Sequence, residues 1–160
     1  MTRPLRHWER GLASLNRIDR ILHGSRVHLS KMSEQRLVDL LGEFLKHGVH
    51  RPPWLRNARL ATTEEDYLGI DVVVGTDKLE LFLQVKSSDR FKKMFVNKGY
   101  KLWRAGLPVP ITGVIIVNDH LEDKKILGSA LSELNTLRSI VQIQGGNYLP
   151  VKRIAQPQPE

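Results

Sequence analysis

Between Leu68 and Lys86 the hydrophobic period shortens from that of a helix to that of a strand, and this stretch constrains the fold more than any other. Gly69-Ile70-Asp71-Val72-Val73-Val74 reads as one strand, Gly75-Thr76-Asp77-Lys78 as a turn, and Leu79 to Lys86 as a second strand. So short a connection makes the two an antiparallel hairpin. Side chains alternate along a strand, so Leu79, Leu81, Leu83 and Val85 point one way while Glu80, Phe82, Gln84 and Lys86 point the other. With the turn near residues 76 and 77, Asp71 falls roughly opposite Gln84. A carboxylate, an amide and an ammonium therefore converge in an otherwise apolar hairpin. Burying a charge in such surroundings costs several kcal/mol unless it is paired or binds a metal. An Asp71 to Lys86 ion pair at the sheet edge and a functional site both answer that cost.

The flanking segments are read from their periods. Ser33 to about His47 carries Leu37, Val38, Leu41, Phe44 and Leu45 at helical spacing, with Ser33 suited to N-capping and Gly48 to stopping the helix. Pro52-Pro53 enforces an extended loop, and a short strand is expected near Arg59 to Thr62. Asp89 to Arg104 is expected to be helical, Ile111 to Val117 to be a central strand, Glu122 to Leu137 a helix, and Ser139 to Gln144 a last strand. Upstream, Leu5, Trp8, Leu12, Leu15, Ile18 and Leu22 mark an amphipathic helix whose other face holds Arg3, Arg6, Arg10, Arg17 and Arg20. The expected organisation is an N-terminal helical extension over 1–30, a core domain over 31–146 and a flexible tail over 147–160. The order of elements indicates an α/β fold, a mixed β-sheet flanked by helices.

Composition limits the chemistry. A chain of 160 residues, 41% hydrophobic, buries one sizeable core. It has no cysteine, which removes disulfides, thiolate zinc sites and thiol nucleophiles and leaves oxygen or imidazole to bind any metal. No stretch approaches a membrane span and no secretory leader is read at Met1-Thr2-Arg3-Pro4, so a soluble, cytoplasmic protein is expected. The formal charge of +8 favours a polyanionic partner, of which nucleic acid is the commonest, and an anionic membrane surface would satisfy the same charge.

Gly69-Ile70-Asp71, a hairpin, and Gln84-Val85-Lys86-Ser87-Ser88 together resemble the signature of PD-(D/E)XK nucleases. In that family an aspartate ends one strand and Glu-X-Lys, less often Gln-X-Lys, lies on the next. The resemblance spans roughly residues 33 to 118 and is similar in this respect to Holliday-junction resolvases, Mrr-like restriction enzymes and small homing endonucleases. It implies a restriction-endonuclease-like α-β-β-β-α-β core and a metal-dependent DNA endonuclease that hydrolyses phosphodiester bonds. Mg²⁺, with Mn²⁺ able to substitute, would be held by Asp71, Gln84, the main-chain carbonyl of Val85 and a helix glutamate. Lys86 would orient or deprotonate the attacking water. A homodimer or higher homo-oligomer would let the enzyme cut both strands of a duplex.

Gln84 departs from the commoner glutamate, so its carbonyl oxygen brings no charge and a carboxylate must come from elsewhere. Glu34 continues the buried stripe of Leu37, Val38 and Leu41, whereas Glu43 falls with Asp39 and Arg36 on the polar side, so Glu34 is favoured. Glu64, Glu65 and Asp66 are further candidates. After Lys86, Arg90, Lys92, Lys93, Lys98 and Lys101 alternate with aromatic residues, as a helix contacting a phosphate backbone would, or as an ordinary solvated face. His47 and His50 lack a third ligand, Asn118-Asp119-His120 reads as a turn and cap, and Ser87 near phosphate is a secondary possibility. Two rival functions are carried alongside: a nucleic-acid-binding or assembly protein that has lost catalysis, and a ribonuclease.

Overall fold

A computed structural model describes residues 30–149. The expected helix over residues 5–22, with its arginine face, and the tail from residue 150 lie outside the described residues.

The first described element, α1, spans 30–47. It is already helical at residue 30, so Ser33 lies within it rather than at its N-cap. Leu37 and Leu41, spaced by four, are fully buried, and Glu34 one turn earlier is buried with them. After the Pro52-Pro53 loop comes β1 (Leu55–Leu60), earlier than expected. The residues assigned to its end serve instead as the cap of a short helix, α2 (Thr63–Tyr67). The hairpin follows as β2 (Val72–Thr76) and β3 (Glu80–Lys86), then α3 (Asp89–Arg104), β4 (Thr112–Ile116) and α4 (Asp123–Gln144).

The sheet order is β1-β2-β3-β4, the first three antiparallel and β4 parallel to β3. α3 makes the crossover that a parallel pair requires. The protein is thus α/β, with a four-stranded mixed sheet flanked by helices, an arrangement consistent with a restriction-endonuclease-like core. On one face Val72, Val74, Leu81, Leu83, Val85 and Ile115 pack with Leu37 and Leu41 of α1 and with Ile126, Ala130, Leu134, Leu137 and Val141 of α4. The other face gathers a smaller cluster of Ile70, Val73 and Phe82. The alternation expected along β3 is the one observed.

Two segments differ from expectation. Ser139 to Gln144 continues α4 rather than forming a strand, because the stripe Ile126, Ala130, Leu134, Leu137 carries on to Val141 at the same spacing. Gly145, at φ 71°, supplies the left-handed residue that ends the helix. Asn147 to Leu149 then run beside the segment before β4: Ile111 N–H donates to Asn147 O at 2.7 Å and Leu149 N–H to Val109 O at 2.9 Å. Leu149 packs on the main core, so the packed region runs three residues beyond the boundary expected at 146.

Gly113 sets how closely α4 approaches the sheet. A Cβ there would lie 2.6 Å from Glu133 Cγ and 2.8 Å from Leu137 Cδ1, so the helix rests on bare backbone. Gly113→Val is expected to destabilise the protein by about 1–3 kcal/mol in urea unfolding, since a branched side chain must push α4 away from β4.

Candidate metal centre

The candidate site forms where β2 begins and β3 ends, at the end of the hairpin remote from its turn. The register pairs Val72 with Leu83, Val73 with Phe82 and Val74 with Leu81, so the residue before β2 meets the last residues of β3. There Asp71 Oδ2 accepts the backbone N–H of Val85 at 2.8 Å. Asp71 N–H donates to Leu83 O at 2.9 Å, and Asp71 O accepts from Ala61 N–H at 2.9 Å. The residue is thereby fixed by strands on both sides, with only 5% of its surface exposed.

The turn that delivers Asp71 is built by local chemistry. Thr62 and Glu65 form a capping box at the start of α2: Glu65 N–H donates to Thr62 Oγ1 at 3.3 Å, and Thr62 N–H to Glu65 Oε1 at 2.9 Å. At its end Gly69 N–H donates to Asp66 O and Ile70 N–H to Glu65 O, both at 3.0 Å, with Gly69 at φ 86°. This is the paired hydrogen-bond pattern of a Schellman stop, which needs a left-handed residue where glycine stands. The reversal carries Asp66 back toward Asp71.

Glu34, Asp66 and Asp71 consequently form a cluster, with one carboxylate oxygen from each lying within 4.8 Å of the others. Glu34 and Asp71 are buried and Asp66 is exposed, so the group opens to solvent on one side. Asp66 is not singled out by the sequence pattern, because α2 is too short to show periodicity, though Thr62-x-x-Glu65 followed by Gly69 is a legible start and stop. Glu65 is otherwise engaged: Arg59 grips it at 2.7 and 3.1 Å, and that hydrogen bond holds its carboxyl down at about 2. Glu64 is exposed, and Glu43 is exposed beside His47, 3.7 Å from its Nε2.

Gln84 is 7% exposed, and its Oε1 is buried with no hydrogen-bond partner among the described residues. An unsatisfied buried carbonyl costs roughly 1–3 kcal/mol, a cost that an ordered water or a cation would offset. Val85 joins the site through its N–H on Asp71. Lys86, two residues beyond Gln84, is partly exposed at the end of β3, with Nζ 5.2 Å from the centroid of the Phe95 ring. The chemistry of the donors, three carboxylates and one neutral amide oxygen, suits a hard divalent cation such as Mg²⁺. Its coordination would supply the partner that Gln84 Oε1 lacks.

Electrostatics point the same way. Burial pushes the Asp71 carboxyl up to about 7; the charges of Glu34 and Asp66 push in the same direction, while the Val85 N–H and Lys86 pull it back.

Arg90, Lys92, Lys93, Lys98 and Lys101 are all exposed on α3, whose N-cap is Ser88. At ~100° per residue, Arg90, Lys93, Asn97, Lys101 and Arg104 share one stripe, with Lys92 and Lys98 outside it. No α3 residue is buried: Phe91, Met94, Val96, Tyr100 and Leu102 are exposed as well. His47 and His50 are exposed and belong to no cluster of potential ligands among the described residues. Asn118 makes an Asx turn, its Oδ1 accepting from His120 N–H and Leu121 N–H at 3.0 and 3.1 Å. No helix among the described residues is long and apolar enough to cross a membrane. No protein-family model matches the chain, and no curated protein or solved structure matches it.

The raised Asp71 value has a defined sign. A carboxyl whose folded value of about 7 lies above its unfolded value near 3.8 contributes stability at low pH that is lost as pH rises through that interval. Metal-free protein is therefore expected to lose stability between about pH 4 and 7. Asp71→Asn should flatten that slope and stabilise the metal-free protein at pH 8 by about 1–3 kcal/mol, read by chemical denaturation in a chelator at both pH values.

Proposed function

We propose that the protein is a metal-dependent DNA endonuclease of the PD-(D/E)XK type, hydrolysing phosphodiester bonds at the Asp71 centre. The observation that carries this reading is the meeting of the Glu34, Asp66 and Asp71 carboxylates beside an unpartnered, buried Gln84 oxygen, with Lys86 at the end of the same strand. The cluster gathers like charges at one place, which a bound cation would balance.

In this mechanism Asp71, Glu34, Asp66 and Gln84 Oε1 would hold Mg²⁺ or Mn²⁺, with the Val85 carbonyl as the main-chain candidate, and a bound ion would supply Lewis acidity toward water and phosphate. Lys86 Nζ orients or deprotonates the attacking water and offsets charge developing on the phosphoryl oxygens. Water oxygen bonds to phosphorus as the bridging P–O bond breaks, and the departing oxygen takes up a proton. No covalent intermediate with the protein is required. The basic stripe of α3, which follows Lys86 after only Ser87 and Ser88, would contact backbone phosphates next to the reacting one. Cleavage of both strands of a duplex favours a homodimer or higher homo-oligomer.

Gln84 gives one observation to the rival in which the fold binds nucleic acid without cutting it, since the amide contributes no charge to a metal. Retention of both Asp71 and Lys86 weighs against loss of catalysis.

Labelled linear, branched and single-stranded DNA, with RNA in parallel, should be incubated with Mg²⁺ or Mn²⁺ and wild type, Asp71→Ala or Lys86→Ala. Wild type is expected to give metal-dependent DNA products, and each substitution to slow cleavage by about 100-fold or more. Products from RNA alone would move the reading to a ribonuclease, and binding without cleavage in every arm to a binding protein. In the same assays, each α3 cation that contacts a phosphate should, when changed to alanine, reduce the slope of log affinity against log salt by about 0.9 on duplex.

A further inference from the structure

The proposed metal-centre residues come from three parts of the fold. Asp71, Gln84 and Lys86 belong to the hairpin and Asp66 to α2, which runs on into it through the Gly69 turn. Glu34 belongs to α1, distant in sequence, so the site needs the helix and the hairpin held in register. A helix that slides by one residue moves its side chains by ~1.5 Å and turns them by ~100°, enough to withdraw Glu34 from the cluster. Packing of Leu37 and Leu41 opposes so large a slide, while the smaller shifts that would still alter a metal–oxygen distance are held best by directional contacts.

A polar network makes a directional connection, and its hub is the segment between β4 and α4. Arg36, two residues after Glu34, sends Nη1 to Asn118 O at 2.9 Å and Nη2 to Leu121 O at 2.8 Å. Its Nε and Nη2 also reach Asp123 Oδ1, at 3.0 and 2.8 Å. The same Asn118 donates from its side-chain Nδ2 to Ser87 O at 3.0 Å, and the preceding Val117 N–H donates to Lys86 O at 2.9 Å. Both ends of the site are thus tied to one turn: α1 through Arg36, and β3 immediately past Gln84 and Lys86 through Asn118. The turn itself is locked by the Asn118 Oδ1 bonds to His120 and Leu121 N–H.

We propose that Arg36 and Asn118 are positioning residues, which brace the helix carrying Glu34 against the strand carrying Gln84 and Lys86 and so set metal affinity without touching the metal. The proposal rests on the metal-dependent reading above. The guanidinium is suited to the task because its planar fork donates to three acceptors at once; a lysine keeps the charge and cannot reproduce the fork. Asn118 is suited because one amide both accepts from the turn and donates across to Ser87. Asn118→Ser can retain a turn-type acceptor and is too short for Ser87 O, and Asn118→Asp retains the acceptor and loses the donor.

The test uses the full chain without nucleic acid and measures Mn²⁺ binding by isothermal titration, for wild type, Arg36→Lys, Asn118→Ser and Asn118→Asp. Val141→Ala, a buried change toward the far end of α4, serves as a control that lowers thermal stability without touching the network. Each brace variant is expected to raise the Mn²⁺ Kd by about tenfold, as supporting residues of metal sites commonly do, while the control binds as wild type does. Cleavage by the brace variants should then recover at saturating Mn²⁺, where cleavage by Asp71→Ala does not. Wild-type Kd values in the brace variants, or an equal weakening in Val141→Ala, would overturn the brace. A wild type that binds no Mn²⁺ would overturn the metal reading and the brace with it.

Discussion

The hydrogen bond from Val85 N–H to Asp71 Oδ2 joins two strands through a side chain at a place almost closed to water, and the rest of the site follows from what that closure costs. A carboxylate in such surroundings loses hydration that one backbone donor only partly replaces. Two further carboxylates stand within 4.8 Å, so the position answers by holding a proton or by holding a cation. The hairpin register, the glycine stop that turns the chain into Asp71 and the tethering of α1 all serve to keep an unfavourable group in one place.

Most of the sheet was legible because alternation along β3 is unambiguous: Leu81, Leu83 and Val85 face one core, and Phe82 faces the other. Glu34 was legible for a related reason, since it extends the stripe of Leu37 and Leu41 and is buried with them. Asp66 was not. Its helix has five residues, less than two turns, and exposes all of its side chains to some degree, so no hydrophobic period marks it. The end of α4 misled for the opposite reason. Ile140, Val141 and Ile143 are β-branched residues that suit a strand, yet packing of Val141 beneath the sheet decides the matter, and Ile143 is left 83% exposed.

α3 shows where a helical pattern and tertiary structure part. Its aromatic residues read as an inward face, and the structure buries none of them. The reason lies in the sheet beneath. α3 lies against the ends of β3 and β4, and the β3 side chains it meets are polar: Phe95 has Lys86 Nζ over its ring and Gln84 near the same edge. A sheet face that devotes these positions to an amide and an ammonium has little apolar surface left to offer a helix. The exposed apolar residues and the basic stripe of α3 are thus consequences of placing the polar end of β3 under it.

The neutral residue at 84 can be weighed in the same terms. A glutamate there would stand beside Asp71 and bring a fourth carboxylate toward a cluster that already holds three, two of them buried. Its repulsion would raise further an Asp71 carboxyl that burial already holds near 7, and a metal would have to displace more protons to bind. An amide keeps an oxygen donor in place without that repulsion. Under the metal reading, Asp66 supplies the charge that Gln84 withholds, and it does so from the exposed side of the cluster. The glutamine and the aspartate of α2 are then two halves of one solution, and the turn at Gly69 is what allows them to meet.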